Sequence, residues 1–241
     1  MKKTLITLIA LAGVASAAEQ FETSKSITLS EASALGSHTA AFKWSDIKTQ
    51  TSAATQLESL LGETDYSVLT TNDSWYYFSA DTNEASSKAS YSYTDSSHVI
   101  QKGSGNATVL TYTLDVSELL SSSFSADYSQ TITDLTFTTT TSSIGDCYYT
   151  AFAISEGGDV KCLTANGINN VKANVAFTVE NVELSATDKI LVLYRQGDAN
   201  ATTITGLQIG AEGTAVLIPE PATATLSLLA LAGLAARRRR H

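Results

Sequence analysis

The feature that most constrains the fold of this chain is a repeated period of two in its hydropathy. In LTYTLDV (110–116), apolar residues occupy every second position, with threonine or aspartate between them. The same alternation recurs in DLTFTTTT (134–141), CYYTAFAIS (147–155) and NVAFTVEN (174–181). Because successive side chains of a strand point to opposite faces of its sheet, the pattern predicts half-buried β-strands, apolar inside and polar outside.

These strands are predicted to form one all-β domain. KILVLY (189–194) is a continuous apolar run, which favours a central strand covered on both faces. Turn signals such as Gly157-Gly158 and Asn166-Gly167 separate the strands. Short strands at roughly ten-residue spacing predict a β-sandwich. Its outline resembles jelly-roll, lectin-like sandwiches, a likeness at the level of the fold only.

One segment departs from the period of two. Around residues 47–62, Ala54, Leu57 and Leu61 fall on one helical stripe, and Gly62 can end the helix. We therefore expect one short helix over about 50–61, too short to form a domain of its own. A weaker helical turn is expected at 116–120.

The first seventeen residues have the layout of a secretory signal. Two lysines precede an apolar segment (4–14), and Ala15, Ala17 and Ala18 supply the small residues of a cleavage site. The apolar segment is too short for a stable spanning helix. This pattern predicts that signal peptidase removes 1–17 and that the mature chain starts near Ala18, outside the cytoplasm.

The other end of the chain combines an extended motif, an apolar run and a basic cluster. Pro219, Glu220 and Pro221 precede fifteen uncharged residues (222–236), which as a helix would cover about 22 Å. A bilayer core is about 30 Å thick, so spanning requires some thinning and snorkelling. The arginines that follow orient the segment with its end in the cytoplasm, and they are Arg237, Arg238, Arg239 and Arg240.

This tail resembles the PEP-CTERM sorting signal of exported bacterial proteins. The resemblance covers about residues 217–241 and implies recognition, with cleavage near Pro219, by an integral-membrane exosortase-like enzyme in a polysaccharide-producing Gram-negative host. It implies insertion in the inner membrane during transit, then delivery to the outer envelope or the extracellular space. A retained membrane anchor is the alternative. The predicted organisation is thus a signal peptide (1–17), a β-sandwich domain (18–215) and a sorting signal (216–241).

The negative net charge of the chain argues against nucleic acid as a partner. The whole chain has a net charge of −9, and removal of both signals leaves 9 basic and 23 acidic residues, or about −14. Phosphate contacts require lysine and arginine, so we expect no nucleic-acid partner.

The sequence carries no catalytic motif. His38 and His98 stand alone, and neither H-E-x-x-H nor G-x-S-x-G is present. Glu180 and Glu183 would point to opposite faces of a regular strand. The Asx-containing stretches 81–84 and 198–200 lack the spacing of a calcium loop. We therefore expect no enzymatic activity, metal or cofactor, although carboxylates of a glycoside hydrolase can converge from distant strands.

Aromatic residues offer the one candidate ligand site. Trp75 and Tyr77 share one face of a predicted strand, and Tyr91 and Tyr93 follow nearby. Exposed, they would form a platform that stacks on the sugar rings of a polysaccharide; buried, they would be core. The predicted function is thus an exported envelope or matrix protein of unknown activity, with glycan binding or glycoside hydrolysis as alternatives.

The two cysteines could form one disulfide in an oxidising compartment. If Gly157-Gly158 forms a tight hairpin, however, Cys162 lies opposite Ala153, six residues from Cys147. Six strand residues span about 20 Å, and bridged Cα atoms lie within about 7 Å. The tight hairpin and the bridge therefore exclude each other; we favour the hairpin and expect two buried thiols.

Overall fold

The computed structural model describes residues 17–37, 57, 74–79, 90–101, 108–143, 147–164, 175–196 and 200–218. Within these ranges the chain forms twelve β-strands and one 3₁₀ turn, Val116–Leu119, and the isolated residue 57 is helical. The strands are β1 (Glu19–Ile27), β2 (Ser33–Ser37), β3 (Trp75–Ser79), β4 (Ser90–Thr94), β5 (Ser97–Gln101), β6 (Val109–Asp115), β7 (Tyr128–Ser143), β8 (Cys147–Ile154), β9 (Val160–Cys162), β10 (Val175–Leu184), β11 (Lys189–Gln196) and β12 (Thr202–Leu217). The all-β prediction is confirmed for the part of the chain described.

The strands form two six-stranded sheets that share a core. Sheet A has the order β10-β7-β12-β5-β4, and β1 pairs with β12 beyond the end of β5. Sheet B has the order β2-β3-β6-β11-β8-β9. From β5 to β12, successive strands alternate between the sheets except at the β8–β9 hairpin. This is the winding of a jelly roll.

The core lies between the inner faces of the two sheets. It includes Phe137 of β7 and Ile209 of β12 from sheet A, with Leu114 of β6 and Val192 of β11 from sheet B. All four side chains are fully buried. Sandwich sheets pack at about 10 Å, so side chains of this size fill the space between them.

A second apolar layer covers the outer face of sheet B. Leu191 and Leu193 of β11 pack there with Phe78 and Leu57, and all are fully buried. Leu57 is the one described residue of the predicted helix 50–61; it is helical, and the rest of that prediction lies outside the described residues. The prediction that β11 is central and covered on both faces is confirmed.

This second layer corrects the expected pattern of polar outer faces. Thr111 and Thr113 of β6 and Thr150 of β8 point outward but are buried. Threonine can occupy such a site because it is β-branched and its hydroxyl can find a local partner. Thr111 Oγ1, for example, donates to the carbonyl of Tyr76 at 3.4 Å. Beside the expected short strands, β7 and β12 are sixteen residues each and pair along almost their whole length.

A glycine allows β1 to pack closely on β12. Phe21 lies directly opposite Gly213, and a Cβ at Gly213 would lie 2.5 Å from Phe21 Cζ and 2.4 Å from the Thr131 carbonyl oxygen. No side chain fits there, so the aromatic ring covers the bare backbone.

Both cysteines are free thiols, as the hairpin implies, but the expectation that both are buried is wrong for Cys162, which is half-buried. β8 and β9 form the expected hairpin, with a one-residue difference in register: Cys162 pairs with Phe152 rather than Ala153. Cys147 then lies five residues further along β8, about 16 Å away. The two thiols also belong to opposite faces of sheet B, because Cys147 is in the inner core and Cys162 packs in the outer layer.

Candidate functional site

Trp75, the first of the predicted platform residues, lies in the core. Its side chain is 2% exposed. The ring centroid is 4.4 Å from that of His98 and 4.9 Å from that of Tyr112, and Nε1 donates to the carbonyl of Thr28 at 3.0 Å. The prediction that Trp75 is available to a ligand is wrong, because its face of β3 is the inner one.

The other three platform residues join the two sheets. Tyr77 of β3 stacks on Tyr91 of β4, with centroids 4.2 Å apart and planes at 18°. Tyr91 Oη accepts from the Ala32 N–H at 2.7 Å, and Tyr93 Oη donates to the Leu29 carbonyl at 3.2 Å. All three tyrosines are half-buried. They hold the β1–β2 connection against the sandwich, and their role in glycan binding stays a prediction.

His98 belongs to the same cluster and is fully buried. Its Nδ1 lies 3.0 Å from Tyr91 Oη, while Nε2 has no hydrogen-bond partner within the described structure. Burial lowers the pKa of this imidazole to about 4, so it is neutral near pH 7. A buried neutral imidazole facing a phenol is a packing residue here. His38 lies outside the described residues.

A polar groove lies on the outer face of sheet A. The groove has a volume of about 230 Å³ and runs along β12, with β1 on one side and β7 on the other. Its lining residues are Glu22, Thr23, Ser24, Asp134, Thr136, Thr138, Gln208, Gly210, Ala211 and Glu212. None is aromatic or basic.

Carboxylates stand in a row at one end of the groove. Glu22 pairs with Glu212, Glu212 with Asp134, and Asp134 with Glu180. Paired residues share a face of the sheet, with Cβ atoms about 4.5–5.5 Å apart. Four acids from four strands thus lie side by side across sheet A. Like charges in such positions are destabilising, so the row is not explained by folding stability.

The strand pairing becomes irregular next to this row. The β10 register shifts between Glu180 and Leu184, where Asn181 and Glu183 have φ of 58° and 57°. The strand is not regular there, and both Glu180 and Glu183 are exposed. Asp134 is held by its own neighbours: Oδ2 accepts from Thr133 Oγ1 at 2.7 Å and Oδ1 from the Asn181 N–H at 3.2 Å.

The floor of the groove is a glycine flanked by hydroxyls and an amide. Gly210 lies between Ser24 and Thr136 in the next row, and a Cβ there would make only ordinary contacts, the nearest at 3.7 Å. Thr138 and Gln208 form the row beyond. Gly210 therefore leaves open space bordered by groups that can both donate and accept hydrogen bonds.

Sequence reasoning missed this groove. Its acids are far apart in the chain, with Glu22 more than a hundred residues before Asp134, and become neighbours only through strand pairing. The one local signal was the alternation of polar residues in 134–141. In the ranges that the structure covers, no three His, Cys, Asp or Glu side chains are arranged to hold a metal ion.

The predicted processing sites lie at or beyond the limits of the described residues. Ala17 and Ala18 are exposed and precede β1, while Ala15 lies outside the described residues. Pro219, Glu220, Pro221 and the four arginines also lie outside them. Between residues 17 and 218, as described, no helix is long and apolar enough to span a bilayer.

No family model and no curated protein matches the chain. Solved structures similar to it include the enzymatically active domain of bacteriophage CBA120 tailspike protein 4, at 12% identity and a TM-score of 0.34 over 63% of this chain. The chain spans 21% of that structure's length.

Two carbohydrate-binding modules are also similar. TmCBM61, in complex with β-1,4-galactotriose, has 8% identity and a TM-score of 0.30, with 62% of this chain and 96% of the module covered. A family 29 module, CBM29-2, has 12% identity and a TM-score of 0.27, with coverage of 56% and 91%. At this level of similarity, the ligands of those proteins do not indicate a ligand for this chain.

Proposed function

We propose that this chain is an exported envelope or matrix protein that binds a glycan in the groove of sheet A and has no catalytic activity. The observation that carries the proposal is the groove itself, which has open space over Gly210 and a lining of carboxylates, hydroxyls and one amide. The proposed site replaces the aromatic platform, because Trp75 is in the core.

The lining suits a neutral sugar better than other ligands. Sugar hydroxyls both donate and accept, as do Gln208 and Thr138, while the carboxylates of Glu22 and Glu212 accept only. Hydrogen bonds to a charged acceptor contribute more than neutral ones. The absence of basic lining residues disfavours phosphorylated or uronic-acid polymers, which would bring negative charge beside the acid row.

The test is to fill the groove without disturbing the strand. In Gly210→Val the Cβ makes only ordinary contacts, the added carbons enter the groove, and a β-branched residue suits a strand. Gly206→Val is the matched control: it makes the same change on the same strand, with a first contact at 3.6 Å, and it does not line the groove.

Binding would be measured by affinity electrophoresis in gels that contain a soluble neutral β-glucan, galactan or xylan. We expect retardation of the native chain and of Gly206→Val, and at least a tenfold weaker affinity for Gly210→Val. Equal retardation of both variants would rule out the groove, and no retardation in any of these gels would contradict neutral-glycan binding.

The export part of the proposal is supported by the residues at the two ends. Signal peptidase would act between Ala17 and Ala18, and an exosortase-like membrane enzyme would act near Pro219. The chain would be inserted in the inner membrane during transit and then released to the outer envelope or the extracellular space.

Glycoside hydrolysis is the second candidate function. Two nearby carboxylates are what that reaction uses, and Glu22 and Glu212 are cross-strand neighbours that line the groove. Retaining glycosidases have carboxyl groups about 5 Å apart. Asp134 suits the role less well, because both of its oxygens accept hydrogen bonds from the protein. Release of reducing sugar that is lost in Glu212→Gln, while binding is retained, would favour hydrolysis over simple binding.

A further inference from the structure

The two ends of the domain lie together at one end of sheet A. β1 begins at Glu19 and β12 ends at Leu217, and Glu19 is directly opposite Ala215. The expected signal-peptidase site is one or two residues before Glu19, and the Pro-Glu-Pro motif begins two residues after Leu217. Antiparallel pairing therefore brings both processing sites to the same end of the sheet.

An apolar patch marks that end. Val216, Leu217 and Ile218 are 41%, 40% and 50% exposed, and they are the exposed large apolar side chains of the described chain. Leu217 is paired with Tyr128, which is half-buried. We call these four residues the terminal patch. A tyrosine beside aliphatic residues is typical of surfaces at a membrane–water interface.

The terminal patch is a fixed part of the domain. The Ile218 N–H donates to the Asp127 carbonyl at 2.6 Å, and Val216 pairs with Ser129 of β7. Position 222, where the apolar tail begins, is four residues after Ile218 in the sequence, a span of at most about 14 Å. The polar region on each side of a bilayer core is about 5–8 Å thick. A tail inserted in the membrane thus keeps the patch at or close to the headgroups.

We propose that the terminal patch docks into the headgroup region of the lipid bilayer while the exported precursor is held by its tail. This inference rests on the proposed export, and it adds an orientation. The end of sheet A that carries both processing sites faces the membrane. Gly210 is seven residues from Leu217 along β12, about 23 Å, so the groove stands clear of the lipid.

Docking can be measured by the quenching of a label near the patch. The full chain, with Cys162→Ser, would be reconstituted in phosphatidylcholine vesicles that contain no other protein. A fluorescent label would be placed at Ser129→Cys, which is exposed and opposite Val216, or at Thr205→Cys, which is exposed near the far end of β12. Brominated phosphatidylcholine quenches only labels at the bilayer.

We expect at least twofold quenching at position 129, none at position 205, and loss of the quenching in Val216→Thr/Leu217→Thr/Ile218→Thr. Quenching at 205 but not 129 would overturn the orientation. If neither label is quenched although the tail is protected from protease, docking is wrong while the proposed export stands. Failure of the tail to enter the vesicles would contradict both the docking and the proposed export. Quenching that persists in the threonine variant would mean that the patch is not the docking surface.

Discussion

At the scale of single residues, Trp75, Tyr91 and His98 illustrate how ligand-binding residue types can serve a core. The Trp75 ring packs on His98, and the Tyr91 hydroxyl forms a hydrogen bond with Nδ1 of His98. Each of these polar aromatic groups has a body that contributes apolar area and an edge that needs a partner. In this protein the partners are mostly internal, and His98 Nε2 is the exception within the described residues.

Protonation of His98 should therefore destabilise the fold. Burial lowers its pKa from 6.5 to about 4, so the folded state resists a proton that the unfolded chain accepts. This contribution to stability is complete above pH 6.5 and is lost as the pH falls to 4, by up to about 3 kcal/mol.

Urea unfolding at pH 7, 5.5 and 4.5 would measure this effect against His98→Gln. The comparison is of slopes, so any difference in stability at pH 7 drops out, and we expect the variant to lose less unfolding free energy as the pH falls. Parallel pH profiles for the two proteins would show that His98 is already protonated in the folded state or is accessible to water.

At the scale of elements, three strands of sheet A switch, partway along their length, which of their alternate residues face the core. We call this switch a change of phase. In β12, Thr202 and Ile204 are buried at even positions, whereas Leu207 and Ile209 are buried at odd ones. The change falls at the irregular pairing between Thr203 and Gly206. β7 changes phase in the same way near residue 133, and β10 near residue 181. A bulge adds one residue to one strand, so everything beyond it turns to the other face.

The separation of the cysteines on β8 and β9 gives an element-scale prediction. Cys147 is fully buried, which raises the pKa of its thiol to about 12, whereas Cys162 is half-buried in the outer layer. We expect a maleimide to label one thiol in the native protein and two in denaturant, measured by intact mass without reductant.

Two variants assign those labels. Cys162→Ser should lose the native label, and Cys147→Ser should keep it. A mass two daltons below that of the dithiol, with no labelling in denaturant, would mean a disulfide and a different β8–β9 register.

At the scale of the whole molecule, the jelly roll assembles the groove from distant strands. Glu22 is near the start of the domain, Asp134 near its middle and Glu212 near its end, yet β12 lies between β1 and β7 and aligns all three. The same winding pairs β1 with β12, the first and last described strands, which brings the two predicted processing sites to one end.

Processing at both sites predicts the size of the mature protein. We expect protein recovered from the native host's envelope or medium to have the mass of Ala18 to near Pro219, with or without an added group. The precursor in a host that lacks the processing enzyme is the control, and it should keep its tail. A recovered mass that still includes the four arginines would mean that 222–236 remains as a membrane anchor.

The sequence by itself determined the class of fold and several of its strands. Alternation in 110–116 and the apolar run at 189–194 predict β6 and β11, because burial on one or two faces of a sheet selects residues locally. Gly157-Gly158 predicts the hairpin that precedes Cys162. The distance along the strand that this hairpin puts between the two cysteines then predicts that they are not bridged. β1 and β12 were harder to predict, since β12 changes phase at its irregular pairing and β1 has few apolar residues.

Only the tertiary structure decided which faces are exposed and which residues meet. The local pattern around Trp75 and Tyr77 is the same whether their face of the strand is buried under a second sheet or exposed to solvent. Likewise, the outer layer on sheet B buries threonines whose alternation predicts exposure. The acid row and the paired termini depend on strand order, which joins residues up to about two hundred positions apart. The alternation within one segment shows which of its residues share a face of the strand. A site built from several strands depends also on which strands pair, and no single segment encodes that.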